Sequence, residues 1–334
     1  MGRMIRTLTR ALIPTLILLL GQAAAAVAAQ AYPLSLDGYA GADGAISVQH
    51  QGDTIDPYFA LQALLLAHEF GLDAGPYARR WADWLVSRQK PDATFDRFCR
   101  AGPVWAPCKT ADADDTLLAL WLKLLDTMPE GLAQSPVWRK SRDSSVQALQ
   151  RLIDPQRGVY LVSPVYPHAL FMDNLEVLSY SQPCQRDCGQ VDARRRRLER
   201  SIHDTFWNPD TGRFLVSTQP GQLTVAPTFY PEYVAQLYPM LFSFKLQALD
   251  QRVHYRDWMR QHRASWLSQS KTDFAWGLVA IVALKARDFE TAGCWLRYTA
   301  GARGSAHWIV TDEVVHQILR KNKVSEAASD ASCR

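Results

Sequence analysis

The sequence predicts an all-α protein built as an (α/α)6 toroid, an inner ring of helices wrapped by an outer one. Three observations carry this expectation. Strongly apolar segments begin near Asp56, Asp114, Asp173, Glu232, Asp273 and Asp312, at intervals of 58, 59, 59, 41 and 39 residues, and such regularity marks a repeat architecture. Helices of two different characters alternate along the chain. Those of the second character end in similar turns.

The first class covers residues 59–70, 117–125 and 274–284, which are apolar around most of the helix and so predict burial on several sides. The second class carries one apolar stripe and a charged back. Residues 76–89 show it well, with Tyr77, Trp81, Trp84 and Leu85 on one face and Arg79, Arg80, Asp83 and Arg88 elsewhere; others run over 136–153, 192–206, 246–266 and 288–298. The turns read Pro91-Asp92-Ala93-Thr94-Phe95, Asp154-Pro155-Gln156-Arg157-Gly158-Val159-Tyr160 and Asn208-Pro209-Asp210-Thr211-Gly212-Arg213-Phe214. Pro and Gly stop the helix, and a short extended piece returns the chain inward. Six inner and five outer helices follow; the sixth outer element is either missing or supplied by residues 34–50. The polar tail, 321–334, is expected to be disordered.

Residues 1–31 read as an export signal. Arg3, Arg6 and Arg10 precede an apolar core over 11–20 and a small-residue stretch that offers cleavage after Ala29 or Ala31. The core is shorter than the roughly 20 residues of a membrane span. With no later apolar stretch of that length, the mature chain, with its toroid domain over 32–320, is expected to be soluble and periplasmic or secreted. The formal charge of +4 falls to +1 once the three signal arginines are removed, which excludes nucleic-acid binding on charge. The run Arg194 to Arg197 reads as a solvated helix face.

Six cysteines in an exported chain permit disulfides. Cys99 and Cys108 flank a short loop with two prolines, and Cys184 and Cys188 flank another, so local pairing within each is expected. Cys294 reads as a buried thiol, and Cys333 either pairs with it or stays free. Cys184 and Cys188 lack the further Cys or His pair that a zinc site needs. No metal and no cofactor is expected, and the sequence has no P-loop, G-x-G-x-x-G, G-x-S-x-G or H-E-x-x-H.

The inner helices begin in acids: Asp53 and Asp56, then Asp112, Asp114 and Asp115, then Asp173 and Glu176, Glu232, Asp273, and Asp312 with Glu313. Any one of these is explained by capping and by the helix dipole. Capping does not require acids at every inner start. If the inner helices run parallel, these carboxyls converge on one mouth, repel one another and take raised pKa values suited to acid and base roles. Glycoside hydrolysis uses such a pair. Tyr230, Trp276 and Trp105 lie near the same ends, where aromatic faces suit sugar stacking.

In pattern the chain resembles the six-hairpin glycosidases, and most of all glycoside hydrolase family 8. Thr110-Ala-Asp-Ala-Asp-Asp-Thr116 is similar to that family's S-x-S-D-x-D segment, Phe229-Tyr-Pro-Glu-Tyr-Val234 to its N-P-S-Y segment, and Ser270-Lys-Thr-Asp-Phe274 to its S-x-x-D segment. The resemblance implies Asp273 as the catalytic base, with Asp112 and Asp114 contacting substrate. The family's general-acid Glu is absent: Gly52-Asp-Thr-Ile-Asp-Pro-Tyr58 offers Asp56 or Asp53 in its place. The expected catalytic set is Asp56, Asp114 and Asp273. Asp53, Asp112, Trp105, Tyr230, Glu232, Asp173 and Trp276 are expected to bind substrate. The expected partner is a polysaccharide, with exopolysaccharide-secretion machinery as a further candidate. A non-catalytic polysaccharide-binding or scaffold protein is the alternative. A lyase using Tyr230 with Arg213 and His168 ranks third.

Overall fold

The computed structural model describes residues 32–111, 113–180, 188–222, 226–245, 250–327 and 329–333. The expected export signal, Asp112 and Cys184 lie outside these residues, as does the side chain of Cys188. In chain order the helices are α1 (Pro57–Glu69), α2 (Gly75–Val86), α3 (Asp114–Asp126), α4 (Pro129–Gln134), α5 (Pro136–Arg151), α6 (Phe171–Ser179), α7 (Cys188–Phe206), α8 (Tyr238–Leu241), α9 (Gln251–Ser268), α10 (Gly277–Lys285), α11 (Phe289–Thr299) and α12 (Val310–Lys321). Among the described residues seven short strands accompany them: β1 (Tyr32–Pro33), β2 (Thr54–Ile55), β3 (Leu72–Asp73), β4 (Asp96–Ala101), β5 (Val104–Thr110), β6 (Trp207–Asn208) and β7 (Arg213–Phe214).

The architecture is the all-α toroid. Helices α1, α3, α6, α8, α10 and α12 pack in succession, and α12 returns against α1, so the inner ring is closed. Helices α2, α5, α7, α9 and α11 form the outer layer. Residues 34–50 occupy the sixth outer place without forming a helix. Leu36 and Ile46 are buried there, Val310 N–H donates to the Val48 carbonyl at 2.8 Å, and the Gln317 amide holds both backbone groups of Ser35.

The difference between the layers follows from composition. In α3 the buried set runs unbroken from Asp115 to Leu122, because this helix meets neighbours on every side. In α2 only Ala78, Trp81, Ala82, Trp84 and Leu85 are buried. The outer-to-inner turns repeat a single device: Asp92, Asp154 and Asn208 each accept from the backbone N–H two residues on, at 2.9, 2.8 and 2.9 Å. Two inner-ring amides then clamp the returning chain. Asn174 exchanges hydrogen bonds with both backbone groups of Tyr160, and Gln236 does the same with Phe214.

Four local expectations are corrected. The Cys99–Cys108 segment is an antiparallel hairpin, β4–β5, rather than a loop, and β4 pairs also with β2. The fourth inner element is broken: Pro231 and Pro239 deny it backbone donors, leaving a turn over 229–233 and the four-residue α8. The fifth inner helix starts at Gly277, so Asp273 precedes it instead of opening it. The described part of the tail packs on α11: Cys333 is disulfide-bonded to Cys294, Ala327 N–H donates to the Gly293 carbonyl, and Arg297 donates to Asp330. The local Cys99–Cys108 bond is present as expected.

The C-terminal disulfide closes a loop of sequence separation 39. In the chain-entropy picture its removal costs about 3–4 kcal/mol. Cys294→Ser is expected to lower the denaturation midpoint accordingly. A loss of less than about 0.5 kcal/mol in chemical denaturation would show the tail to be energetically detached.

Candidate functional site

The two ends of the inner ring differ in chemistry. A cleft of ≈ 540 Å³ opens at one end, lined by Asp56, Tyr58, Phe59 and Gln62 of α1, by Tyr238, and by the starts of α10 and α12. A second, small cavity shares Gln62 and Leu278 with the cleft and extends to Leu66, Glu69, Lys123, Leu241 and Lys285, which lie late in their helices. These inner helices therefore run parallel, with their N-termini around the cleft.

Each wall is fixed by capping. Asp56 caps α1, accepting from Tyr58 N–H at 3.1 Å, and pairs with Arg97 Nε of β4 at 2.6 Å. Asp312 joins two helix starts, accepting from Gly277 N–H at 2.7 Å and Ile309 N–H at 3.3 Å. Gly277 has no room for a side chain: a Cβ would stand 2.9 Å from Asp312 Oδ1 and 3.1 Å from Trp295. Burial pushes the Asp312 carboxyl up to about 7, with backbone N–H groups acting against the shift and nearby Asp273 adding to it.

Trp276 has φ 54°, a left-handed conformation costly for a bulky side chain. Three contacts hold it there. Its indole N–H donates to Asp273 Oδ2 at 3.2 Å, its carbonyl accepts from Trp266 at 3.1 Å, and its ring lies against Tyr230 with centroids 4.8 Å apart. Tyr230 is 52% exposed, so the pair presents an aromatic face to the cleft. Strain of this kind concentrates where a side chain must be aimed.

Below the cleft lies a buried acidic layer. Glu176 accepts from Tyr58 Oη at 2.9 Å and Gln62 Nε2 at 3.3 Å, and burial raises its carboxyl to about 8, with Asp173 adding to the shift. Asp115 is fully buried, its Oδ2 makes no hydrogen bond, and burial followed by Asp173 drives its pKa upward. The raised values expected from crowded carboxylates are present, but desolvation, ahead of mutual repulsion, is the leading cause.

The structure brings together Asp56, Asp273, Tyr230 and Trp276. Asp114 is not in the cleft lining. It sits towards Lys90, Asp92 and Asp96, and burial raises it to about 6; its neighbour Asp115 is the one that turns inward. Asp173 lies half-buried beside Asp115 and Glu176. Glu232 secures the turn by accepting from both Thr228 N–H and Oγ1. Asp53 is exposed and accepts from Thr54, and Trp105 lies under the Arg100 guanidinium at 3.9 Å. Asp112 is outside the described residues. Sequence reasoning missed Arg97, Lys109, Phe274 and Thr311 in the lining, and did not name Asp312 among the site residues. No hairpin pattern in the sequence would have paired Arg97 with Lys109: the observed register skips Cys108 at an irregularity between Arg97 and Phe98, and without it Lys109 would fall on the other face. Among the described residues no group of three or more His, Cys, Asp or Glu is placed to hold a metal.

No family model matches this sequence, and no curated protein matches it. Solved structures with the same fold include glycosidases. A structure described as a novel alpha-amylase from Clostridium perfringens superposes with a TM-score of 0.59 and 8% identity, over 86% of this chain and 94% of that one. A rhamnosidase from Klebsiella oxytoca with rhamnose bound gives 0.52 and 11%, covering 83% of this chain and 60% of its own. An uncharacterized conserved protein from Thermus thermophilus gives 0.51 and 11%, over 85% and 97%. At these identities the likeness defines a helical-toroid fold that glycosidases share.

Glu176 provides a test of the buried layer. Its folded-state pKa of about 8 lies above the ordinary 4.5, so the folded chain keeps a proton that the unfolded chain has lost. Its contribution is fully present below pH 4.5 and is lost as pH rises through about 8. Glu176→Gln is therefore expected to gain stability relative to wild type across that window, by at most about 1.4 kcal/mol per pH unit. Parallel pH–stability curves for the two proteins would show that Glu176 is not held protonated.

Proposed function

We propose that this protein is a glycoside hydrolase acting on a polysaccharide, with Asp273 and Asp56 as its two carboxyl groups. The observation that carries the reading is their presence in one cleft, at the N-terminal mouth of the inner ring, beside the Tyr230–Trp276 aromatic face. Hydrolysis needs one carboxylate to activate water or attack carbon and one carboxyl to protonate the leaving oxygen. Asp273 takes the first role, oriented by the Trp276 N–H. Asp56 takes the second, in the place where the resemblance to family 8 puts its acid. The aromatic pair stacks on the sugar and excludes water from its apolar face.

The Asp56–Arg97 ion pair favours a second reading. The Arg97 guanidinium occupies the Asp56 carboxylate at 2.6 Å, so that pair must open before Asp56 can reach a leaving oxygen. A cleft in which it stayed closed would bind polysaccharide without cutting it. Two disulfides fit an oxidising compartment, and with the basic-apolar N-terminal sequence they support a periplasmic or secreted site of action on a polymer the cell exports. No described helix is long and apolar enough to cross a membrane.

Release of reducing ends from a panel of polysaccharides tests the proposal. Asp273→Asn and Asp56→Asn are each expected to reduce kcat by about 100-fold or more. Unchanged rates in both variants would remove these residues from the mechanism. Binding without turnover by the wild type, weakened by Tyr230→Ala, would establish the second reading.

A further inference from the structure

We infer that the polysaccharide taken by this cleft is acidic, bearing carboxylates such as those of uronate residues, and that Lys109 receives them. The inference rests on the polysaccharide reading above and deepens it. Arg97 and Lys109 are register partners across the β4–β5 hairpin, and both line the cleft. Their pairing follows a β-bulge that skips Cys108 and so sets both cations on one face of the hairpin, where like charges across a strand pair are destabilising. Two cations held in this way call for anions in front of them.

Among the described residues Arg97 has a carboxylate partner in the cleft lining. Asp56 meets Arg97 at 2.6 Å. Among the described residues no carboxylate pairs with Lys109, which is exposed on the strand beyond Cys108. The other two carboxylates of the lining are engaged elsewhere: Asp273 accepts from Trp276, and Asp312 caps the starts of α10 and α12. The lysine is also firmly mounted. The Cys99–Cys108 disulfide joins its strand to β4, and β4 is paired to β2 at the entry to α1. A single solvated ammonium on a rigid wall matches a singly charged carboxylate, and it stands on a different element from the acids that would do the chemistry. A substrate carboxylate would thereby be drawn to the hairpin and kept away from Asp273.

Titration of the full chain with alginate, polygalacturonate and hyaluronan, each native and with its carboxyls reduced to alcohols, tests this, with a neutral glucan alongside. The native form of at least one polymer is expected to bind up to about fivefold more tightly than its reduced form. That preference should shrink as salt is raised. Lys109→Gln should abolish it while leaving affinity for the reduced polymer unchanged, and Lys109→Arg should keep it. Equal binding of native and reduced forms by the wild type overturns the inference, as does a preference that survives Lys109→Gln. Failure of every polymer, acidic or neutral, to bind would instead sink the polysaccharide reading itself.

Discussion

Inner helices laid parallel in a closed ring bring like ends of their dipoles together, and the organisation of this protein answers that constraint. At one end stand partial positive charges and unsatisfied N–H groups, at the other partial negative charges and unsatisfied carbonyls. The chain meets the first with acids, of which Asp56 and Asp312 accept directly from helix N–H groups. It meets the second with lysines. Lys285 donates to the Leu241 carbonyl and pairs with Glu69, Lys321 donates to the Phe70 carbonyl, and Lys123 donates to Ser179. The electrostatics that allow the ring to form also make one mouth acidic.

That mouth becomes a site because closure removes water from it unevenly. Asp115 and Glu176, on the α3–α6 side, are covered completely, and burial pushes both carboxyls upward. Asp273 remains at the cleft surface, since its helix begins four residues later, after the left-handed turn at Trp276. Asp56 lies between these extremes, sheltered but matched by Arg97. Carboxyls at nearly equivalent repeat positions thus end in different surroundings, set by burial and by partners.

The fold was legible because its signal is long-range and redundant. The intervals between apolar segments, the two helix characters and the recurring Asp- or Asn-led turns all report the same repeat, and the turns share one hydrogen bond in the structure. Legibility failed where a single residue decides between outcomes. Pro231 and Pro239 break the fourth inner helix within a stretch whose hydrophobic pattern continues through it. The Cys99–Cys108 segment carries prolines and looked like a loop, yet antiparallel pairing of β4 with β5 makes it a hairpin, with β2 as a third strand.

The sequence by itself determined the layered toroid and its acid-rich inner starts, since periodicity and capping are properties of neighbouring residues. It also identified Asp56, Asp273, Tyr230 and Trp276, which share the cleft. Only the tertiary structure decided that Asp115 rather than Asp114 turns inward, because one residue in a helix is a rotation of about 100° and the ring alone fixes which direction is the axis. Only the tertiary structure set Arg97 against Asp56 across 41 residues of chain, and placed Lys109 beside it. Those contacts depend on strand register and ring closure, which no local pattern encodes.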